Sequence, residues 1–455
     1  MNKISIPKGA NSVILGLRYL GHEAYVVGGC VRDSLLGIEP HDWDICTSAL
    51  PDEVKDYLLR RNIRTVDTGL KHGTITAVLD SGEHYEITTF RQDGNYSDNR
   101  HPDSVEFVDS VITDLSRRDF TINAIAFNTA GLVDPFHGRK DLERRTISCV
   151  GNPDDRFSED ALRILRALRF ASTYQFHIEP ETAESIHKNR DLLRNIAPER
   201  IQSELCKLLM GAGVTDILLE YSDVIATVIP EFLPCIGFEQ NNRFHQYTVY
   251  EHIVRAVGNY GGNDLSVRVA LFLHDIGKPQ CYTEDEKGGH FYGHAVPSTD
   301  IARAILERLR FDNRTKDEVL ELIFNHDAVI EPTQRVVKKW LNKIGEERFL
   351  QLLDVRMADI KAHAEGTQTS RINRCNSLRE IANTVLEQRQ CFALKDLEIK
   401  GNDIISLGVP EGKVVGDVLR YVLEAVINGE LPNSKEKLMC AVRQYLEVHG
   451  FEFKK

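Results

Sequence analysis

The 455-residue chain has no apolar run of membrane-spanning length and no C-x-x-C pair among its nine cysteines. The first lack excludes a transmembrane helix, which needs about 20 consecutive apolar residues. The second argues against a zinc ribbon and a disulfide framework, and scattered thiols suit a reducing cytoplasm. The N-terminus, MNKISIPKGANSVILGL, lacks the layout of a signal peptide. Positive charge is in short supply: 56 Lys and Arg stand against 68 Asp and Glu, for a net charge of −12. Any nucleic-acid partner must therefore meet a local basic patch, with Arg190, Arg194 and Arg200, or Lys435, Lys437 and Arg443, as candidates. Internal repeats and low-complexity linkers are absent. At this length one core is not enough, and several domains are expected.

What is present begins with YVVGGCVRDSLLGIEPHDWDICTS, Tyr25 to Ser48. Ala24 to Val27 read as a buried strand, Gly28 and Gly29 as a turn that lets the backbone approach a ligand, and Cys30 to Leu36 as a short helix. The helix-end amides and Arg32 would then face phosphates. In an extended segment Asp42 and Asp44 project to one side, while Trp43 and Ile45 point to the core. Two adjacent carboxylates repel unless a cation neutralises them, and Mg²⁺ prefers carboxylate oxygens together with substrate phosphates. A third carboxylate would allow two ions, one activating a hydroxyl and one stabilising a leaving pyrophosphate.

Four further stretches carry polar residues that packing does not explain. HYEITTFR alternates like a strand and sets Glu86 opposite Tyr85 and Ile87. QDGNYSDNRHPDSVEF reads as a mobile loop running into a strand. DLSRRDFTINAIAFN brings Arg117 and Arg118 beside a strand-like run with Phe120, Ile122 and Ile125 as core, leaving Asp119 and Asn123 without a packing role. SEDALRILRALRF reads as one helix capped by Ser158 with an apolar stripe of Leu162, Leu165 and Leu168. Asp160 and Arg163 then share a face. One reading is an intrahelical ion pair worth roughly 0.2–0.5 kcal/mol. The other is base recognition: cytosine and adenine present an amino donor beside a ring-nitrogen acceptor, which a carboxylate and a guanidinium match, whereas uracil and guanine present the opposite pattern.

In this order the stretches resemble the nucleotidyltransferase domain shared by class II CCA-adding enzymes and bacterial poly(A) polymerases. The resemblance implies that Asp42, Asp44 and Glu86 are catalytic and that the first two hold Mg²⁺. It assigns Gly28, Gly29, Arg32, Arg117, Arg118, Asp119 and Asn123 to the nucleotide, and Asp160, Arg163, Arg166 and Arg200 to the base-recognition region, with APERIQSEL continuing the match. The loop from Asp93 to Pro102 favours full CCA addition, because enzymes that add only CC lack such a loop.

A second unit carries His252 in YEHIVRAV, His274 and Asp275 in LFLHDIGKP, His294 in FYGHAVPS, His326 in LIFNHDAV and Asp359 in MADIKAH. The Gly-Lys-Pro run places the His-Asp pair at a helix end. The order H…HD…H…H…D resembles the HD phosphohydrolase superfamily, whose mixed imidazole and carboxylate ligands suit Mn, Ni, Fe or Zn better than Mg. A metal-activated water would hydrolyse a phosphate ester there. The helical, polar C-terminal segment, with Gly401, Gly416 and Asn433, resembles the tail of the same bacterial enzymes, and either a tRNA contact or plain helical packing accounts for it.

The expected fold is therefore α+β and multidomain: a nucleotidyltransferase head of mixed β-sheet and helices over 1–145, an all-α neck over 146–240, an HD unit over 241–365 and a helical tail over 366–455. The expected reaction is template-independent addition of C, C and A to the 3′ end of tRNA from CTP and ATP, in the cytoplasm and without a membrane. The alternatives are a poly(A) polymerase of the same family, or an HD phosphohydrolase whose head binds nucleotide or RNA.

Overall fold

The computed structural model describes residues 4–69, 73–94, 104–286 and 288–450. They fall in two compact units, Met1–Leu233 with Arg308–Phe311, and Pro234–Glu307 with Asp312–Lys455.

The first unit is built on strands β1 Ala24–Val27, β2 Ile45–Thr47, β3 Arg64–Gly69, β4 Thr74–Val78, β5 His84–Thr89, β6 Arg91–Asp93, β7 Val105–Phe107, β8 Ala126–Asn128 and β9 Gly131–Val133. Seven form one sheet in the order β3-β4-β5-β2-β1-β8-β9, β6 pairs β7 apart from it, and in the neck, expected to be all-α, Thr146–Ile147 pairs His177–Ile178 in parallel. All pairs in the large sheet are antiparallel except β2 with β5, where Ile45 faces Ile87. That parallel register decides the site, because Asp44 and Glu86 each lie one residue before the paired isoleucines. β5 alternates as its sequence requires, with Tyr85 and Ile87 buried and Glu86 exposed. Between β1 and the helix Gly29–Leu36 stands Gly28, at φ 77 and ψ −127, a conformation reserved for glycine.

Three local expectations are corrected. β2 begins only at Ile45, so Trp43 precedes the paired residues and stays half-buried instead of entering the core. The run after Asp119 is a 3-10 turn, Thr121–Asn123, ahead of β8, not a strand. Asp119 accepts a hydrogen bond from the N–H of Phe120, a local bond that competes with strand pairing, although Phe120, Ile122 and Ile125 are fully buried as expected. The segment around Ser158 is two helices, Pro153–Glu159 and Leu162–Tyr174, broken at Asp160. Asn152 caps the first helix with Pro153 behind it, Ser158 lies inside it, and Asp160 bonds the Leu162 N–H at 3.1 Å. An Asn-Pro start and an aspartate in a capping position are stronger signals than a serine followed by acids. The loop at residues 95–103 lies outside the described residues.

The second unit is helical, from Val249–Asn259, opened by a Thr248–Glu251 capping box, to Lys435–Val448. Its only strands among the described residues form a short hairpin, Thr283–Asp285 with Gly288–His290. The last helices share a core that includes Ile399, Val418, Val422, Leu438 and Val442. Among the described residues no helix is long and apolar enough to cross a membrane.

Candidate active site

Asp44 immediately precedes β2, Glu86 lies within the neighbouring β5 and Asp42 stands two residues before Asp44, close enough that both Glu86 and Asp42 act on Asp44 electrostatically. The Asp44 carbonyl accepts from Val27 N–H at 3.0 Å, which ties the second aspartate to the residue before the glycine turn. Asp44 and Glu86 each precede the first β2/β5 pair, Ile45 with Ile87, and both are open to solvent. The cluster is electrostatically frustrated. The Asp44 pKa is raised, first by desolvation, then by Glu86 and Asp42, against the relief offered by Arg118. Three oxygen donors that repel one another are the donor set a hard divalent cation satisfies.

Arg118 reaches this edge over Gly28, where an added Cβ would meet its Nη1 at 3.0 Å. Arg117 and Arg118 are both held by Asp114, which sequence reasoning missed. Arg117 donates to Asp114 Oδ1 from Nε at 3.0 Å and Nη2 at 2.8 Å, Arg118 donates to Oδ2 at 3.3 Å, and the Arg91 N–H adds a bond at 3.3 Å. Asp114 is fully buried, and its pKa is nevertheless lowered: burial alone would raise it, and the two guanidiniums more than offset that. A carboxylate three and four residues before a pair of arginines was the available signal.

The remaining polar residues form a second chain of bonds. Arg32 is buried, donates to Asp33 at 2.8 Å and to Asn123 Oδ1 at 2.6 Å, and lies 5.0 Å from the Phe170 and Tyr174 ring centroids. Asn123 passes a bond to Asp119 at 3.0 Å, and Asp119 accepts from Arg166 at 2.9 and 2.5 Å. Burial would raise the Asp119 pKa, but Arg166 and Asn123 hold it well below the carboxylate range. Asp160 and Arg163 do not pair with each other, since the helix break separates them. Arg200 holds Asp160 at 2.9 Å, while Arg163 donates to Glu159 at 2.6 Å and to the carbonyls of Arg156 and Arg117 at 3.2 and 3.0 Å. The simple intrahelical ion pair is thus ruled out, and both groups keep lone pairs or N–H groups beyond these bonds.

In the second unit all six expected ligands converge. His252 Nε2 lies 2.9 Å from Asp359 and 3.2 Å from Asp275, and His274 Nε2 lies 3.2 Å from Asp275. His294 and His326 bring their Nε2 atoms to 3.0 and 3.6 Å from the same aspartate. The Nδ1 atoms of His274, His294 and His326 sit 2.7, 2.9 and 2.6 Å from the backbone carbonyls of Leu271, Phe291 and Ile323. A carbonyl only accepts, so each Nδ1 carries the proton and each Nε2 lone pair points inward. Two such lone pairs, on His294 and His326, lie 3.1 Å apart, and both buried Asp275 oxygens lack a properly directed hydrogen bond. Imidazole nitrogens converging with two buried carboxylates form a donor set that fits a transition-metal ion. Lys278, missed by the sequence reading, is buried against Asp275 at 2.7 Å. A cavity of about 870 Å³ opens over the cluster, lined also by His245, His363 and Arg371.

Known proteins share the sequence pattern and the fold of this chain. Residues 24–148 match a model described as "Poly A polymerase head domain", residues 175–235 one described as "Probable RNA and SrmB-binding site of polymerase A", and residues 294–442 a tRNA nucleotidyltransferase domain 2. The chain is 52% identical over 435 residues to a CCA-adding enzyme of Levilactobacillus brevis, covering 95% of this chain and 96% of that one. It is 49% identical over 437 residues to a CCA-adding enzyme of Limosilactobacillus reuteri, with 96% of each covered. Among solved structures, the Bacillus stearothermophilus CCA-adding enzyme in complex with CTP matches with a TM-score of 0.72 at 31% identity, over 97% of both chains. The Thermotoga maritima CCA-adding enzyme complexed with tRNA shares the fold, at a TM-score of 0.61 and 22% identity. The chain belongs to the family of CCA-adding enzymes.

Proposed function

We propose that this enzyme adds C, C and A to the 3′ end of tRNA without a template, by attack of the terminal hydroxyl on the α-phosphate of CTP or ATP with release of pyrophosphate. The observation that carries the reading is the convergence of Asp42, Asp44 and Glu86 beside the Gly28 turn and Arg118. Asp42 and Asp44 would hold Mg²⁺, which when bound supplies Lewis acidity and offsets phosphate charge. Glu86 orients the attacking hydroxyl. Arg117 and Arg118, aimed by Asp114, balance charge on the triphosphate. Arg32, Asp119 and Asn123 fix the nucleotide-binding floor, with the Gly28 and Gly29 backbone approaching the phosphates. Asp160 accepts from the amino group of C or A and Arg163 donates to the ring nitrogen, with Arg200 bonded to Asp160 and Arg166 holding Asp119 ionised.

The domains follow as head 1–145, neck 146–240, HD unit 241–365 and tail 366–455. The identities of 52% and 49% to CCA-adding enzymes over nearly the whole chain favour this activity over poly(A) polymerase, whose resemblance rests on the shared head. Nine free cysteines fit a reducing cytoplasm.

A second activity is favoured by the inward-facing cluster of His252, His274, Asp275, His294, His326 and Asp359. With Mn, Ni, Fe or Zn bound, this HD unit would supply metal-assisted hydrolysis of a phosphate ester in the cavity above it. The primary proposal is tested by Asp42→Ala and Asp44→Ala. Each should abolish incorporation of C and A alike while leaving the melting temperature near wild type, and more than about a tenth of the wild-type rate would contradict the role.

A further inference from the structure

An enzyme of net charge −12 that handles RNA needs cations not already neutralised by its own acids. Most of the basic residues singled out from the sequence fail that condition. Arg190 pairs with Asp223 at 3.5 Å, Arg194 with Asp191 at 3.1 Å, Arg200 with Asp160 at 2.9 Å and Lys435 with Asp403 at 2.7 Å. The helix Gln334–Ile344 meets it. Its sequence, QRVVKKWLNKI, carries Arg335, Lys338, Lys339 and Lys343 and no acid, and among the described residues none of the four reaches a carboxylate. Lys343 instead donates to the Asn325 amide oxygen at 3.3 Å and lies 4.5 Å from the Trp340 ring centroid.

The geometry makes this a surface. Val337 and Leu341 are buried, and helical periodicity puts Arg335, Lys339 and Lys343 on the opposite face in four-residue steps, a stripe about 12 Å long. Arg335 and Lys343 are exposed. Because the apolar half of the helix is already packed in its own core, it has nothing left to insert into a lipid surface.

We propose that the unpaired cationic face of the helix Gln334–Ile344 is a docking surface for the phosphodiester backbone of the RNA substrate. The inference rests on the reading that this enzyme acts on tRNA, and it lies outside residues 175–235, where the RNA-binding model matches. Phosphate contacts release condensed counterions, so each one steepens the salt dependence of binding. The test is the affinity of the full-length enzyme for tRNA lacking its CCA end, by fluorescence anisotropy from 50 to 200 mM KCl, for wild type and Arg335→Gln/Lys339→Gln. The expected result is a fall in the slope of log K against log[KCl] by about 1.4–1.8, with affinity weakened roughly tenfold or more and the Michaelis constants for CTP and ATP unchanged. A charge-conserving Arg335→Lys/Lys339→Arg variant should restore the wild-type slope. An unchanged slope in the Gln variant, with tRNA bound normally, overturns the surface and leaves the activity standing. Absence of tRNA binding in wild type overturns both. Should the double variant lose helicity, the exposed single change Arg335→Glu is read the same way, with a slope reduced by about 1 or more expected and an unchanged slope refuting the surface.

Discussion

Asp114 is the residue that holds both Arg117 and Arg118, the arginines proposed to meet the triphosphate, and replacing it by Asn keeps its volume while removing its charge. The carboxylate is fully buried, with 2.8 and 3.0 Å bonds from Arg117 and a 3.3 Å bond from Arg118. Removing one partner of such a buried pair leaves the other charges uncompensated and costs about 3 kcal/mol. In a unit of this size, that corresponds to a fall of roughly 6–12 °C in melting temperature. Loss of aim in the two guanidiniums should also raise the Michaelis constants for CTP and ATP together. The pH dependence has a definite sign. The Asp114 pKa is lowered on folding from an ordinary 3.8, so its stabilisation is fully present above that value and is lost as pH falls through the folded-state pKa. The gap between wild type and Asp114→Asn should therefore be constant near neutrality and close only below about pH 4. Thermal unfolding from pH 7 to pH 3, with parallel kinetics, measures both effects. A gap of less than about 1 kcal/mol at pH 7 would refute the view that Asp114 organises the arginines.

Other outcomes follow from single positions. Asp160→Ala and Arg163→Ala should each weaken CTP and ATP and let UTP or GTP compete, by ~1–3 kcal/mol of discrimination, in four-nucleotide incorporation assays; wild-type preference in both would move base selection elsewhere. Gly28→Ala forces a side chain into φ 77 and against Arg118 Nη1, and should cost about 1–3 kcal/mol of stability with slower nucleotide addition. His274→Ala should remove phosphate-ester hydrolysis supported by Mn or Ni and spare nucleotide addition. If the wild type hydrolyses nothing with any of these metals, the cluster around His274 and Asp275 has only a structural role.

The sequence revealed most where short spacing carried the information. The strand at Ala24–Val27, the alternation that exposes Glu86 and the helix end at His274 need only local periodicity and glycine, and all three stand in the structure. The adjacency of Asp44 and Glu86 needed the parallel β2/β5 register, which no local pattern encodes and which only the family resemblance anticipated. Arg200 was expected at this site; what went unread were partners only three or four residues away in the chain, Asp114 for Arg117 and Arg118, Glu159 for Arg163 and Lys278 for Asp275, because such spacing marks an ordinary surface ion pair as readily as a buried one. The helix break at Asp160 was misread because leucine periodicity continues past it, whereas the capping bond to Leu162 depends on one aspartate.

The central claim is that one head, with two aspartates and no template, adds C twice and then A. It is tested most directly by incubating the enzyme with tRNA lacking CCA, together with CTP and ATP, and sequencing the 3′ ends. The account predicts ends that stop at CCA, formed in Mg²⁺ and absent with Asp44→Ala. Oligo(A) tails, ends that stop at CC, or no extension at all would contradict it.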